Sequence, residues 1–374
     1  MPRIYLHIGA PKTGTTYLQS VLFDHRGRLA DAGVLYPGRY PEAHFEAVVD
    51  LRGMSFGGHR DENWQGRWLR LVDEAVEWDG DSVVISHELL CGAPDETIAE
   101  AVESFAGHEV HVLYTARDLG RQVPAMWQEY VKNHATVPFD RYVRRLAREP
   151  RRGRVANTFW RQQHAAEIAD RWCAYLPRER FHFVTVPPPE APPTLLWERI
   201  AATVDIDPEL ADAERPTTNT SLGFPQTELL RRVNRALGDQ MPWPAYETTV
   251  KGWFAEEFLI GLGSGARPTV PESMRDWLLS EAKRIVTAIA ESGVDIVGDL
   301  NDLRPSFGSR EKAPTDPEVL DVAADALAAL LTERAGRHWT GRGGSPMVAR
   351  ARRSGMVRAL PRGVQEWLKR RVND

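Results

Sequence analysis

The sequence is poor in cysteine and in long apolar runs. Its 374 residues include two cysteines, Cys91 and Cys173, too few for a disulfide framework or a four-thiolate zinc site. Both lie near apolar segments, as buried thiols commonly do, which fits a reducing compartment. No stretch reaches the roughly 18 apolar residues that a membrane span needs, and no long apolar leader precedes the first strand-like segment. We therefore expect a soluble, cytoplasmic protein.

Charge is unevenly distributed along the chain. The net charge is −5, yet residues 334–374 hold eleven Lys or Arg against Glu366 and Asp374, about +9, which leaves about −14 on the rest. Apolar residues in this segment could share one face of a short helix: Leu360, Val364, Trp367 and Leu368. Residues 341–374 are therefore either a solvated or docked terminus or a weak peripheral membrane contact. No nucleic-acid partner is predicted.

Short apolar segments alternate with helical patterns. The strand candidates are residues 4–8, 82–85, 110–114 and 181–186. Helical patterns begin near Thr15 and recur at 194–203, 226–237, 271–296 and 317–335. Continuous apolar runs between helices are typical of strands buried in a parallel sheet. The sequence thus predicts a doubly wound α/β fold, with a mostly parallel central sheet flanked by helices and a helical C-terminal part.

We predict three parts in the chain. An α/β domain covers residues 1–305, a helical extension covers 306–340, and the basic tail covers 341–374. Within the first part, residues 40–75 and 187–270 are predicted insertions, and the second of these begins at a run of prolines.

A turn rich in glycine, lysine and threonine joins the first strand to the first helix. It reads Gly-Ala-Pro-Lys-Thr-Gly at residues 9–14, here called the anion loop, and it leads into two more threonines. In such a turn the backbone N–H groups and the positive helix end converge on an anion, and glycine lets the backbone approach closely. The predicted anion-binding residues are Pro11, Lys12, Thr13, Gly14, Thr15 and Thr16. A turn that merely caps the helix is the alternative.

The order of residues in the anion loop separates two kinds of phosphate site. Nucleoside triphosphatases carry lysine directly after the second glycine, whereas here Lys12 precedes Gly14. The order Pro-Lys-Thr-Gly-Thr-Thr resembles the 5'-phosphosulfate loop of sulfotransferases that use 3'-phosphoadenosine-5'-phosphosulfate (PAPS). The resemblance covers about residues 1–300. No Asp follows the second strand, where a triphosphatase would hold Mg²⁺, so we expect no metal requirement.

Two further strand ends carry the resemblance. In a parallel sheet, the residues that follow each strand are the first candidates for chemistry. Ser86-His87-Glu88 resembles the family's Ser-x-Glu position, which implies Glu88 as the base that deprotonates the acceptor, with His87 as the alternative. Arg117 looks like the family's arginine for the 3'-phosphate, a task that suits a bidentate, permanently charged guanidinium. A capping Glu88 and a structural Arg117–Asp118 ion pair are the alternatives.

The sequence departs from the family's pattern eight residues after that arginine. Many relatives have a serine there as a second ligand of the 3'-phosphate, and this chain has Ala125. Residues that could replace the serine are Gln122, Trp127, Gln128 and Lys132, and spacing does not choose among them. Gln122 is included with the predicted donor-binding residues.

Two other regions are weaker candidates. Asn219 and Ser221 precede a predicted helix and resemble a late loop that closes over the nucleotide, although a turn that caps the helix explains them equally well. His44 and Trp64 lie in the first insertion, where an acceptor pocket could form, although a lone histidine there is more often merely exposed.

These residues lead to one functional prediction with two alternatives. We expect a sulfotransferase that moves the sulfuryl group of PAPS to a hydroxyl or amine of a small molecule, glycolipid or carbohydrate, and that releases 3'-phosphoadenosine-5'-phosphate. Lys12 would oppose the growing charge and Glu88 would take the proton. The alternatives are a Mg²⁺-dependent P-loop kinase or nucleoside triphosphatase, and a non-catalytic protein that binds anionic ligands and associates with membranes through its basic tail. The oligomeric state stays open.

Overall fold

A parallel sheet organises the described part of the chain. The computed structural model describes residues 1–55, 60–148, 151, 153–214, 221–262, 265–308 and 312–339. In these ranges the strands are β1 (Arg3–Gly9), β2 (Val34–Leu35), β3 (Ser82–Ser86), β4 (Val110–Ala116), β5 (Phe181–Thr185) and β6 (Asp295–Val297). Their spatial order is β2-β3-β1-β4-β5-β6, and each neighbouring pair is parallel.

Helices connect and cover these strands. The α-helices of the described ranges are α1 (Thr15–Asp24), α2 (Arg26–Asp31), α3 (Ala43–Leu51), α4 (Arg67–Val76), α5 (Asp95–Glu103), α6 (Leu119–Lys132), α7 (Phe139–Leu146), α8 (Arg154–Gln163), α9 (Ala165–Trp172), α10 (Leu195–Val204), α11 (Phe224–Leu237), α12 (Trp243–Tyr246), α13 (Arg275–Glu291) and α14 (Asp316–Trp339). Short 3₁₀ turns are at Glu62–Trp64, Glu88–Leu90, Arg178–Arg180, Pro208–Leu210, Glu272–Met274 and Leu300–Leu303. A π-helix covers Glu247–Leu259.

The sheet separates two hydrophobic cores, which explains why its central strands are mostly apolar on both faces. Along β1, Ile4 and Leu6 point into one core while Tyr5 points into the other. The other central strands alternate in the same way, because successive side chains of a strand face opposite sides. Helices α1, α2 and α10 cover the side of Tyr5, and most of the other helices pack on the opposite side. The predicted doubly wound α/β fold is therefore confirmed.

The sequence missed the two edge strands. The helix predicted over residues 271–296 ends at Glu291, and Asp295–Val297 pairs with β5 instead. Gly293, with φ of 73°, turns the chain out of the helix. Strands β2 and β6 span two and three residues, too short for an alternating pattern to distinguish them from a loop or a helix end.

The strand order reverses between β1 and β4. From β1 the chain adds β3 and β2 on one side, and it adds β4, β5 and β6 on the other. Open α/β sheets bind ligands in the crevice beyond the carboxyl ends of the strands at such a reversal. The anion loop follows β1 and Arg117 follows β4, so both lie at this crevice.

Some predictions concern parts of the chain outside the described residues. The basic tail at 341–374 and its membrane contact are among them, as is Asn219. Within the described part, no helix combines the length and the apolar character needed to cross a membrane. Both cysteines are free thiols, with Cys91 buried and Cys173 partly buried.

Candidate active site

The backbone of the anion loop turns sharply at the mouth of the sheet. Lys12 adopts a left-handed conformation with φ of 67°, between Gly9 at 84° and Gly14 at 95°. A non-glycine residue in that region is unusual, and such strain is found mostly at functional sites. Alternation of left- and right-handed residues points successive N–H groups inward and forms a concave site for anions. The first turn of α1, from Thr15, has no acidic residue, so its positive end is not neutralised locally.

A buried chain of hydrogen bonds fixes the anion loop to the ends of the central strands. The Thr13 hydroxyl donates to the Ala10 carbonyl at 2.5 Å, so the Thr115 hydroxyl, 2.6 Å away, must donate to Thr13. His7 lies between Thr115 and Ser86, with Nδ1 2.7 Å from the serine oxygen and Nε2 3.4 Å from Thr115 Oγ1. Burial lowers the pKa of His7 to about 4, so the ring is neutral and can join this chain. The Thr13 hydroxyl therefore faces the protein, and only its backbone can contact an anion.

Helix α6 lies with one face along the anion loop. Gln122 is fully buried and donates from Nε2 to the Pro11 carbonyl at 2.5 Å. Ala125 and Glu129 follow on the same face at helical spacing, and Glu129 contacts Lys12. This geometry argues against the prediction that Gln122 binds phosphate, because its amide already donates to a carbonyl of the anion loop.

Arg117 joins the loop to the beginning of α6. Its guanidinium donates from Nη1 to the Lys12 carbonyl and from Nη2 to the Arg121 carbonyl, each at 2.9 Å. Among the described residues its Nε is buried and has no hydrogen-bond partner. Burial lowers the pKa of Arg117 to about 10, so the side chain stays cationic at neutral pH. The Arg117–Asp118 ion pair considered above is not formed, since Asp118 pairs with Arg121.

Glu88 and His87 leave the end of β3 in different environments. His87 is extended, and its Nδ1 accepts the Leu89 N–H at 3.2 Å, so the proton is on Nε2. Burial lowers the pKa of His87, although the Glu88 carboxylate opposes this. Within the described ranges, Glu88 Oε2 is buried and accepts no hydrogen bond. Of the two candidate bases, Glu88 has the acceptor atom that is not already used.

Gly9 lets Glu88 come close to the anion loop. A Cβ at Gly9 would lie 2.6 Å from Glu88 Cβ and 2.8 Å from Glu88 Cα, far inside van der Waals contact. Because Gly9 also has a positive φ, a larger residue is excluded on two grounds.

His44 is buried in the structure, not exposed. Its Nδ1 accepts the Ser86 N–H at 3.0 Å, and its Nε2 lies 2.7 Å from the Pro37 carbonyl, to which it donates. Burial lowers the pKa of His44 to about 4. Both ring nitrogens are used, so His44 supports the end of β3 and is not positioned to act as a base.

An aromatic edge lies beside His87. The Phe45 ring is 5.5 Å from the His87 ring, and the partly buried Trp64 packs edge-on against Phe45 at 5.5 Å. Two aromatic rings from residues 40–75 therefore lie near the end of β3, next to His87.

Lys12 belongs to an ion-pair cluster that the sequence analysis missed. Its Nζ lies 2.6 Å from Glu129 Oε2, and Lys132 Nζ lies 2.9 Å from the same oxygen. The π-helix adds Lys251, 3.4 Å from Glu129 Oε1, and Glu256, 2.6 Å from Lys132. The position of Glu129, four residues after Ala125 and on the face of Gln122, is the sequence signal that could have revealed it.

The remaining candidates have diverse positions. Of the residues suggested to replace the family's serine, Trp127 is in the core and Gln128 donates to the Leu222 carbonyl at 2.6 Å. Lys132 is the one that carries a charge near the anion loop. Thr15 is buried, Thr16 is exposed, and Ser221 is partly buried next to Leu222. Among the described ranges, no group of His, Cys, Asp or Glu is arranged to hold a metal ion.

Comparison with known proteins finds a single distant likeness to report. No protein-family model matches the chain, and no curated protein matches it. The solved structures include a match to the crystal structure of a sulfotransferase from Alicyclobacillus acidocaldarius, at 15% identity and a TM-score of 0.34, over 67% of this chain and 96% of that one. At these values the likeness is too distant to assign an activity, which must be inferred from the residues of this chain.

Proposed function

We propose that this protein is a sulfotransferase that uses PAPS as donor. The observation that carries the proposal is the anion loop, in which Lys12 precedes Gly14 and adopts a left-handed conformation. The loop lies at the carboxyl end of a central strand, where the strand order reverses. A positive helix end and inward N–H groups suit the 5'-phosphosulfate, and the lysine order argues against a triphosphatase loop.

The residues around the loop fit a bound donor. Arg117 is cationic, lies at the same strand edge, and keeps a buried Nε with no partner in the described part of the chain. The Lys132 ammonium, next to Lys12 across Glu129, is a second cation within reach of the crevice. We therefore assign the 3'-phosphate to Arg117, with Lys132 in the place of the family's serine. The bound donor supplies the activated S–O bond.

A few side chains have distinct roles in the proposed sulfuryl transfer. Glu88 accepts the proton of the acceptor hydroxyl at its unpartnered Oε2. The acceptor oxygen bonds to sulfur as the bond between sulfur and the 5'-phosphate oxygen breaks, and 3'-phosphoadenosine-5'-phosphate leaves. Lys12 and the loop N–H groups oppose the charge that grows on the leaving phosphate. The acceptor approaches along the edge formed by Phe45 and Trp64, which favours a small molecule, glycolipid or carbohydrate with a flat or apolar face.

The proposal is tested by following the sulfuryl group. The protein is incubated with ³⁴S-labelled PAPS and a cellular extract in the presence of EDTA, and the products are examined by mass spectrometry. We expect a labelled product that requires PAPS and forms equally well with EDTA. Activity that requires ATP and Mg²⁺ would point to a kinase or nucleoside triphosphatase instead. The tail at 341–374 can be deleted in a parallel sample, since transfer should not need it.

A further inference from the structure

Glu129 is a buried carboxylate that contacts the lysine of the anion loop. Burial alone would raise the pKa of Glu129, but the ammonium groups of Lys12, Lys132 and Lys251 hold it well below its usual value. The side chain is therefore an anion at neutral pH. Its Oε2 lies 2.6 Å from Lys12 Nζ, the group that in the proposed function opposes the charge on the leaving phosphate.

The charge of Glu129 does not depend on Lys12. Lys132 Nζ lies 2.9 Å from Oε2, and Lys251 Nζ lies 3.4 Å from Oε1. Asn133 adds a hydrogen bond from Nδ2 to Oε1 at 3.2 Å. If Lys12 moved away, the carboxylate would still be paired with two cations. Losing Lys12 as a partner therefore costs Glu129 much less free energy than being left as a buried charge with no cation beside it.

Lys12, in turn, is able to leave. Its side chain is 36% exposed, whereas that of Lys132 is 11% exposed. A flexible four-carbon stem can carry the ammonium from the carboxylate to another anion nearby.

We propose that Glu129 is a positioning residue that competes with the donor for Lys12. This inference rests on the proposed function for the identity of the donor. In the donor-free protein the carboxylate holds the lysine, and the phosphosulfate takes the lysine over when it binds. After transfer the carboxylate reclaims the lysine, which weakens the hold on the product nucleotide. Glu129 thereby weakens nucleotide binding and speeds the release of the product nucleotide.

A matched pair of variants tests the competition. Glu129→Gln removes the carboxylate from Lys12, whereas Glu256→Gln removes one from Lys132 without touching Lys12. Binding of inorganic pyrophosphate and of 3'-phosphoadenosine-5'-phosphate is measured by calorimetry. We expect Glu129→Gln to bind both about tenfold more tightly than the wild type, equivalent to about 1.4 kcal/mol. Glu256→Gln should leave the binding of pyrophosphate, which has no 3'-phosphate for Lys132 to contact, within about twofold of the wild type.

The design separates this inference from the nucleotide assignment. Tighter pyrophosphate binding without a preference for the 3'-phosphorylated nucleotide would uphold the role of Glu129 and refute the donor. Unchanged or weaker pyrophosphate binding by Glu129→Gln would overturn the competition, as would an equal gain in Glu256→Gln. If Glu129→Gln does not fold, Glu129→Asp keeps the charge but withdraws it by one methylene, and a gain of about threefold is expected. A lower KM for PAPS with no rise in kcat is the kinetic signature, which a merely structural role would not produce.

Discussion

Replacing Lys12 by alanine removes the ammonium of the anion loop and leaves its backbone intact. The left-handed φ of 67° is as accessible to alanine as to lysine, so the turn itself is unaffected. The bond from Arg117 is made to the Lys12 carbonyl and is retained. What is lost is an ion pair whose lysine is partly exposed, and the Glu129 carboxylate keeps Lys132 and Lys251. We expect the free energy of unfolding to change by less than about 1 kcal/mol.

The effect on sulfuryl transfer should be much larger than the effect on stability. The ammonium opposes charge that is greater in the transition state than in the bound donor, and such groups are worth about 3–4 kcal/mol, or roughly 10²- to 10³-fold in kcat. Affinity for the product nucleotide should fall by less than this factor, because in the free protein Lys12 is held by Glu129 and its exchange offsets part of the gain.

The assay measures initial rates with an identified acceptor at saturating PAPS, together with thermal unfolding of each variant. Lys251→Ala is the matched control, since Lys251 pairs with the same carboxylate but lies on the π-helix and not on the loop. It should keep kcat within about threefold. If Lys12→Ala turned over PAPS at the wild-type rate, the assignment of the anion loop to the phosphosulfate would be refuted. If both variants lost activity equally, the whole cluster and not Lys12 would be responsible.

Three other predictions follow from the site. Glu88→Gln should lower kcat by about 10²- to 10⁴-fold while the donor affinity is kept; a kcat within about threefold of the wild-type value would exclude Glu88 as the base. Gly9→Ala should destabilise the fold by about 2–4 kcal/mol in urea unfolding, because φ is 84° and the new Cβ would meet Glu88 at 2.6 Å. Gly107→Ala is the control, because Gly107 has φ of 92° and open space around it, so this variant should lose only the stability that the positive φ costs an alanine. If both variants lost the same free energy of unfolding, the contact between the new Cβ and Glu88 would have to be relieved by a local shift. The last prediction concerns how the stability of the fold depends on pH. His7 and His44 have pKa values of about 4, below the unfolded value of about 6.5, so the unfolded chain binds more protons between these values. Stability should be complete above pH 6.5 and fall as the pH drops, by about 2 kcal/mol for each histidine at pH 5; equal unfolding midpoints at pH 7.5 and pH 5 would contradict this.

The central strands and the anion loop could be predicted from the sequence because their signals are local. A strand buried on both faces is mostly apolar, and Val110–Ala116 fits this pattern except at His111 and Thr115. The loop owes its conformation to its own glycines and to the helix that follows it. The edge strands could not be predicted in this way, because β2 and β6 are defined by their neighbours in space and not by their own residues.

The orientation of individual side chains was the part that the sequence could not provide. Thr13 and Gln122 lie in the right segment, yet the hydroxyl of one and the amide of the other are used by carbonyls behind the loop. His44, expected at the surface, is fixed between β3 and Pro37. Lys251 reaches Glu129 from more than a hundred residues away, through a π-helix that no short-range pattern indicates.

The affinity of the protein for 3'-phosphoadenosine-5'-phosphate relative to ADP, measured by calorimetry in EDTA, tests the central claim most directly, since it needs no acceptor. 3'-Phosphoadenosine-5'-phosphate and ADP each carry two phosphates, but the first has one of them on the 3' oxygen and ADP has both on the 5' side. We assign the 3'-phosphate to Arg117, a residue that stays cationic at neutral pH. Loss of a charge-assisted contact of this kind is worth about 1–3 kcal/mol. We expect the 3'-phosphorylated nucleotide to bind more tightly by that margin, without metal. Equal affinity for the two, or binding that appears only with Mg²⁺, would contradict it.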